Sequence, residues 1–234
     1  MRVMPAIDVM DGSVVRLVKG DPANKIVYSS DPAEIALKWD AAGADMLHVV
    51  DLDAALGTGS NNSQVIAKIV SSVRVPVQVA GGIRTPEAAK EALDRATRVV
   101  LGTMAYSDPE AVRKLAKKHQ GRIVISIDQK DGKVMVKGWK ESSGVSVQDA
   151  IAQFAAMGID DFLLTSIERD GTLAGPDVAL LSQAVSSGAR IIASGGISSL
   201  EDALRVKSAG CSAVILGKAM YDGKISVERV KAIA

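Results

Sequence analysis

The stretch "AIDVMDG" (Ala6–Gly12) returns 120 positions later as "SIDQKDG" (Ser126–Gly132). Both carry Ile-Asp-x-x-Asp-Gly, and they are not an isolated pair. "QVAGGI" (Gln78–Ile83) returns as "IASGGI" (Ile192–Ile197), and Gly57-Thr58 as Gly171-Thr172, each 114 positions on. "VVLGTMAY" (Val99–Tyr106) returns as "VILGKAMY" (Val214–Tyr221), 115 positions on. Chance can produce one such match. Four in the same order with nearly one offset mark a duplicated half.

Outward from these repeats, eight short apolar runs alternate with helical patterns: Val3–Ile7, Met46–Val50, Val75–Val79, Arg98–Leu101, Ile123–Ile127, Asp161–Leu164, Arg190–Ala193 and Ala213–Leu216. Helix starts are signalled by Asp31-Pro32, Thr85-Pro86 and Asp108-Pro109, and by the capping-box spacing of Ser198-Ser199-Leu200-Glu201. Gly43, Gly121, Gly158, Gly188 and Gly210 mark helix ends. Continuously apolar strands, each followed by a helix, predict a closed parallel (β/α)8 TIM barrel built from two (β/α)4 half-barrels. A doubly wound open sheet is the alternative. The expectation is one domain, 1–234, with half-barrels of about 1–120 and 121–234. Two connections are long, Asp8 to Ser30 and Gln129 to Ser146, and Asp131-Gly132 signals a hairpin turn in the second.

Composition narrows the class. Of 234 residues 47% are hydrophobic but only 3% aromatic, so the core must be aliphatic. A net charge of +1 gives no electrostatic case for nucleic acid or an anionic membrane. No apolar run approaches the roughly 20 residues of a membrane span. The single cysteine, Cys211, excludes an internal disulfide framework. The start of the chain enters a strand-like segment with no basic-then-apolar leader. A soluble cytoplasmic enzyme is expected, working as a monomer.

The duplicated glycines suggest the ligand. Gly81-Gly82 and Gly195-Gly196, and Gly102-Thr103 and Gly217-Lys218, follow strands and precede helices. Tight turns alone would explain one such set. Two symmetric sets predict two phosphate sites across the barrel mouth, because free N–H groups at helix starts attract anions. The partner is then an elongated small molecule with a phosphate at each end. Asp8 and Asp128 close their strands between these sites and read as an acid–base pair on its middle. In the exit of the sixth strand, Thr165 is placed to bond a sugar hydroxyl and aligns with Asp51; Asp170 is either catalytic or a turn former. Trp139 is either a ring for stacking on a planar heterocycle or a lid residue. Arg16 and Lys19 either meet phosphate or are solvated charges. His48 and His119 stand alone, no cluster has metal-ligand spacing, and no cofactor fingerprint is present.

"PAIDVMDGSVVRLVKGD", "VVDLDAALGTGSNN", "VAGGIR", "VLGTMAYSDPE", "SIDQKDGKVMVKGW", "TSIERDGTLAGPD", "ASGGISSLEDA" and "ILGKAMYDGKI" together resemble the phosphoribosylformimino-5-aminoimidazole carboxamide ribotide isomerase family of histidine biosynthesis. The resemblance covers nearly the whole chain. It implies a duplicated barrel that converts an aminoaldose to an aminoketose by an Amadori rearrangement, on a substrate with two phosphates and an aminoimidazole carboxamide. It implies Asp8 as general base, Asp128 or Asp170 as general acid, Thr165 as a substrate contact and Trp139 as the imidazole-stacking ring. It implies no metal and no external cofactor, the substrate nitrogen serving as electron sink. Two related families remain as alternatives. The cyclase of the same pathway typically has Lys-Gly where this chain has Arg16-Leu17. The bifunctional isomerases, which also act on phosphoribosylanthranilate, tend to carry Arg where this chain has Lys137. A non-catalytic phosphosugar-binding module is the third alternative.

Overall fold

In the computed structural model every residue except Lys19 is described, so the expectation placed on Lys19 lies outside the described residues. Among the described residues twelve strands form one sheet: β1 (Arg2–Met10), β2 (Ser13–Val18), β3 (Asp21–Ser29), β4 (Leu47–Asp51), β5 (Val77–Ala80), β6 (Arg98–Leu101), β7 (Ile123–Lys130), β8 (Lys133–Val136), β9 (Glu141–Ser146), β10 (Asp161–Ser166), β11 (Arg190–Ser194) and β12 (Ala213–Leu216). Eight of them, β1, β4, β5, β6, β7, β10, β11 and β12, pair in parallel in that order. The ring closes where Val3 of β1 lies beside Val214 of β12. The chain is a (β/α)8 TIM barrel, with the strands where the apolar runs predict them.

Two cores follow from the period-2 alternation of a strand. Val3, Ile7, Val9, Val99, Leu101, Ile125 and Ile127 point outward into the main core under the helices. Met4, Ala6, Met46, Ala80, Val100, Val124, Leu163, Ile192, Ala213 and Ile215 fill the barrel interior. Because both faces are covered, the short strands are buried at every position, as in β5 and β6. Helix starts agree with the sequence: Asp31, Thr85 and Asp108 accept from the first-turn N–H groups, with proline next in each case. The capping box lies one residue later than the spacing suggested, since Ser199 is the cap and Asp202 turns back to Ser198 N and Oγ.

The two long connections are antiparallel hairpins. β2 folds back on β1 and β3 on β2; β8 folds back on β7 and β9 on β8. The second half of each Ile-Asp-x-x-Asp-Gly phrase makes the turn. Asp11 and Gly12 have φ of 50° and 72°, Asp131 and Gly132 of 51° and 74°, the left-handed pairing of a two-residue hairpin.

The closed end of the barrel is pinned by charge. Asp161, at the start of β10, lies 3.5 Å from Arg2, 3.5 Å from Arg98 and 2.7 Å from Arg190. Arg98 is 4% exposed, and burial lowers its pKa to about 10. Breaking a buried pair from one side leaves an uncompensated charge, so Asp161→Leu should lower stability by about 3–5 kcal/mol in urea unfolding. The double variant Asp161→Leu, Arg98→Met should recover most of that loss. A double variant as unstable as the single one would contradict this account of the pin.

Candidate active site

The carboxyl ends of the barrel strands open into a cavity of about 230 Å³. Alternation decides what faces it. Above inward Met4 and Ala6 on β1 comes Asp8; above inward Val124 on β7 come Ser126 and Asp128. Register then places Thr165 beside Asp128 as Val50 lies beside Asp8. Thr165 is therefore the counterpart of Val50, not of Asp51 as the 114-residue offset suggested. Asp51 is fully used otherwise: it accepts from Ala54 N at 3.0 Å, Asn62 N at 2.7 Å and Asn62 Nδ2 at 2.8 Å.

Arg16 is not a solvated charge. It sits on β2, 8% exposed, because the Asp11-Gly12 turn brings that strand back over the mouth. Asp53 and Asn62 hold the turn, accepting from Asp11 N at 2.8 Å and Gly12 N at 3.0 Å. The Arg16 Nη1 donates to Asp8 Oδ2 at 2.7 Å, and Nη2 lies 4.0 Å from Asp170 Oδ1. Asp170 is both a turn residue and a cavity residue: its N–H bonds Ser166 O at 3.1 Å, while its carboxyl faces the mouth. Trp139 crosses the rim with its ring against Gly20 and lines the cavity together with Asp128.

Two carboxyls, Asp8 and Asp170, thus flank one guanidinium, and Asp128 shares the mouth with them. Burial pushes the Asp8 pKa up to about 6; Arg16 opposes the rise and Asp170 adds to it. Burial also raises Asp128, against the neighbouring side chains of Trp139, Thr165 and Ser126. It raises Asp170, against Arg16 and the Gly171 N–H. Each acid therefore has its own set of partners, which is the arrangement that splits proton donors from acceptors.

His48, which stands alone in the sequence, lines the cavity. It is inward on β4, 6% exposed, and its Nδ1 lies 2.8 Å from Gln78 Nε2. Burial, with the charges of Arg16 and Arg98, lowers its pKa to about 3, so the ring is neutral. The signal was its place two residues before Val50 on a strand whose inward set is fixed by register.

The glycine sets lie on the two sides of the mouth. Gly81, Gly82, Gly102 and Thr103 line the main cavity; Gly195, Gly196, Gly217 and Lys218 line an adjoining cleft that shares Arg16, Asp170 and Ser194 with it. Packing alone demands the Gly-Gly pairs. A Cβ on Gly81 would collide with Asp51 O, and one on Gly195 would lie 2.9 Å from Ser166 O. Gly102 is different: its Cβ would meet only Ser126 at 3.8 Å. Gly102 and Gly217 start the short helices Thr103–Ser107 and Lys218–Tyr221 with no side-chain cap, which leaves first-turn N–H groups facing the mouth. The Lys218 ammonium is engaged by Asp222. Among the described residues no group of three or more His, Cys, Asp or Glu is placed to hold a metal, and Cys211 is buried.

A closed barrel with ionisable groups gathered at its carboxyl end belongs to the class of (β/α)8-barrel enzymes. Within that class, the chain belongs to the histidine biosynthesis protein family, whose model matches residues 2–226. It is 51% identical to the 1-(5-phosphoribosyl)-5-((5-phosphoribosylamino)methylideneamino) imidazole-4-carboxamide isomerase of Nitrosopumilus maritimus (strain SCM1), over 99% of this chain and 98% of the relative. Relatives with the same name occur in Cenarchaeum symbiosum (strain A), at 48% identity over 97% of this chain and 98% of the relative, and in Halothermothrix orenii, at 43% over 97% and 98%.

The electrostatics give a direct test. The Asp8 carboxyl should titrate near 6 by carbon-13 NMR. In Arg16→Leu burial acts without the opposing cation, so the midpoint should move further up. A midpoint near the ordinary 3.8, or a downward move in the variant, would contradict the assignment.

Proposed function

We propose that this chain is the aldose–ketose isomerase of histidine biosynthesis, converting the bis-phosphorylated aminoaldose named in its relatives to the corresponding aminoketose. The observation that carries this reading is the presence of Asp8 and Asp128 at matched strand ends on opposite sides of one mouth, in a chain of this family. The substrate lies across the mouth, one phosphate at the Gly81, Gly82, Gly102 and Thr103 side and the other at the Gly195, Gly196, Gly217 and Lys218 side. Trp139 stacks on the imidazole.

The reaction opens when a general acid, Asp128 or Asp170, protonates the ribose ring oxygen. The ring opens to a protonated imine on the substrate's own nitrogen. Asp8 removes the C2 proton, giving an enolamine, and return of a proton to C1 with loss of the hydroxyl proton gives the ketose. Asp8 suits the base because a carboxyl with a pKa of about 6 is ionised at neutral pH yet holds a proton better than an ordinary aspartate. Arg16 stabilises its ionised form and contacts substrate from β2. Thr165, beside Asp128 in the register of β7 and β10, bonds a sugar hydroxyl of the substrate. The two half-barrels, 1–120 and 121–234, arose by duplication, which supplied one strand-end aspartate each. No external cofactor takes part. The enzyme works as a monomer in the cytoplasm; no described helix is long and apolar enough to cross a membrane.

Purified protein should turn over the aminoaldose, with phosphoribosylanthranilate assayed in parallel and left unchanged. Asp8→Asn should lower turnover by about 10²- to 10⁴-fold, the usual range for acid–base catalysis, with the substrate still bound. Asp128→Asn and Asp170→Asn should both impair it, and the variant that loses the alkaline limb of the pH–rate profile identifies the acid. Near-full turnover by Asp8→Asn would overturn the acid–base assignment.

A further inference from the structure

The turn joining β8 to β9 holds three successive residues in left-handed backbone. Lys137, Gly138 and Trp139 have φ of 55°, 66° and 68°. Only the middle one is glycine. Left-handed lysine and tryptophan persist where the surroundings over-determine them. Two contacts hold Lys137. One is an ion pair with Glu141 at 2.8 Å, more than half exposed on both sides and so of little weight. The other is specific: Thr103 Oγ1, outside the hairpin, accepts from Lys137 N at 2.9 Å. Two residues further along, the Trp139 ring lies over Gly20 and lines the same cavity as Asp128, close enough to lower that carboxyl's pKa.

We propose that the Thr103 hydroxyl is a positioning residue for catalysis: it fixes the left-handed turn that sets Trp139 beside Asp128. A hydroxyl both accepts and donates. With its lone pair engaged by Lys137, Thr103 keeps its O–H free to donate into the cavity it lines. A phosphate oxygen at Gly102 is the acceptor that this O–H meets, and donation to an anion strengthens the bond accepted from Lys137. Filling this end of the cavity then tightens the indole on Asp128. This last step rests on the function proposed above; the placement of the indole does not. The matching residue in the other half is Lys218, whose ammonium goes to Asp222, so the hydroxyl tie belongs to one hairpin only.

The test uses the full chain and the indole N–H signals of its two tryptophans, Trp39 and Trp139, assigned with Trp139→Phe. In the free protein, Thr103→Val should shift the Trp139 indole signal and speed its exchange with solvent, while Thr103→Ser should restore both. Inorganic phosphate should slow that exchange in the original protein and not in Thr103→Val. Turnover of the aminoaldose by Thr103→Val should fall about tenfold in kcat, the scale of one lost hydrogen bond. A raised KM with unchanged kcat and an unchanged indole signal would overturn the proposal and leave Thr103 a simple phosphate contact. An indole signal indifferent to Thr103→Val would overturn it even if the enzyme turns over. Absence of turnover in the original protein, with the indole response intact, would instead overturn the function and leave the positioning role standing.

Discussion

Closure of the parallel sheet is the constraint from which the site follows. A strand in a closed barrel must send alternate residues inward, and its neighbours on both sides hold it in register. Once Met4 and Ala6 of β1 face the interior, Asp8 faces the mouth; once Val124 of β7 does, Ser126 and Asp128 follow. A slip of one residue would turn Asp8 toward the aliphatic layer under the helices, beside Val49 of β4, and would bring Ile7 and Val9 inward. The packing that stabilises the fold therefore also selects which strand-end residues meet across the cavity.

Placing three carboxyls in one mouth costs desolvation and mutual repulsion. Arg16 offsets part of both. It reaches Asp8 and Asp170 because the hairpin after β1 returns a strand over the opening, and Asp53 and Asn62 hold that hairpin by its turn. The guanidinium is not fully satisfied: among the described residues its Nε has no partner. The compensation is partial, and the Asp8 carboxyl remains well above its ordinary value. A stronger counter-charge would make a more stable carboxylate and a weaker base.

The parts of this architecture that depend on local pattern were legible in the sequence. Apolar runs marked the eight barrel strands, Asp-Pro and Thr-Pro pairs marked helix starts, and the repeats marked the matched positions of Asp8 and Asp128. Interactions between distant segments were not legible. Arg16 looked like a loop charge because only the return of β2 over the mouth brings it to Asp8 and to Asp170, 154 positions away. Thr165 was aligned one residue off because sequence offsets ignore the hydrogen-bond register that sets it beside Asp128. His48 looked isolated because its role depends on facing inward, beside a glutamine from the next strand. The arginine pin around Asp161 joins four strands and leaves no pattern along the chain.

The chemistry turns on a carboxyl raised by burial and restrained by Arg16 acting as the base. The pH dependence of kcat/KM measures this most directly, since it reports the essential groups of the free enzyme. An acid limb with its midpoint near 6, the value burial gives Asp8, is the expected result. A limb centred near 3.8, the ordinary aspartate value, or a rate indifferent to acid across that interval, would contradict it.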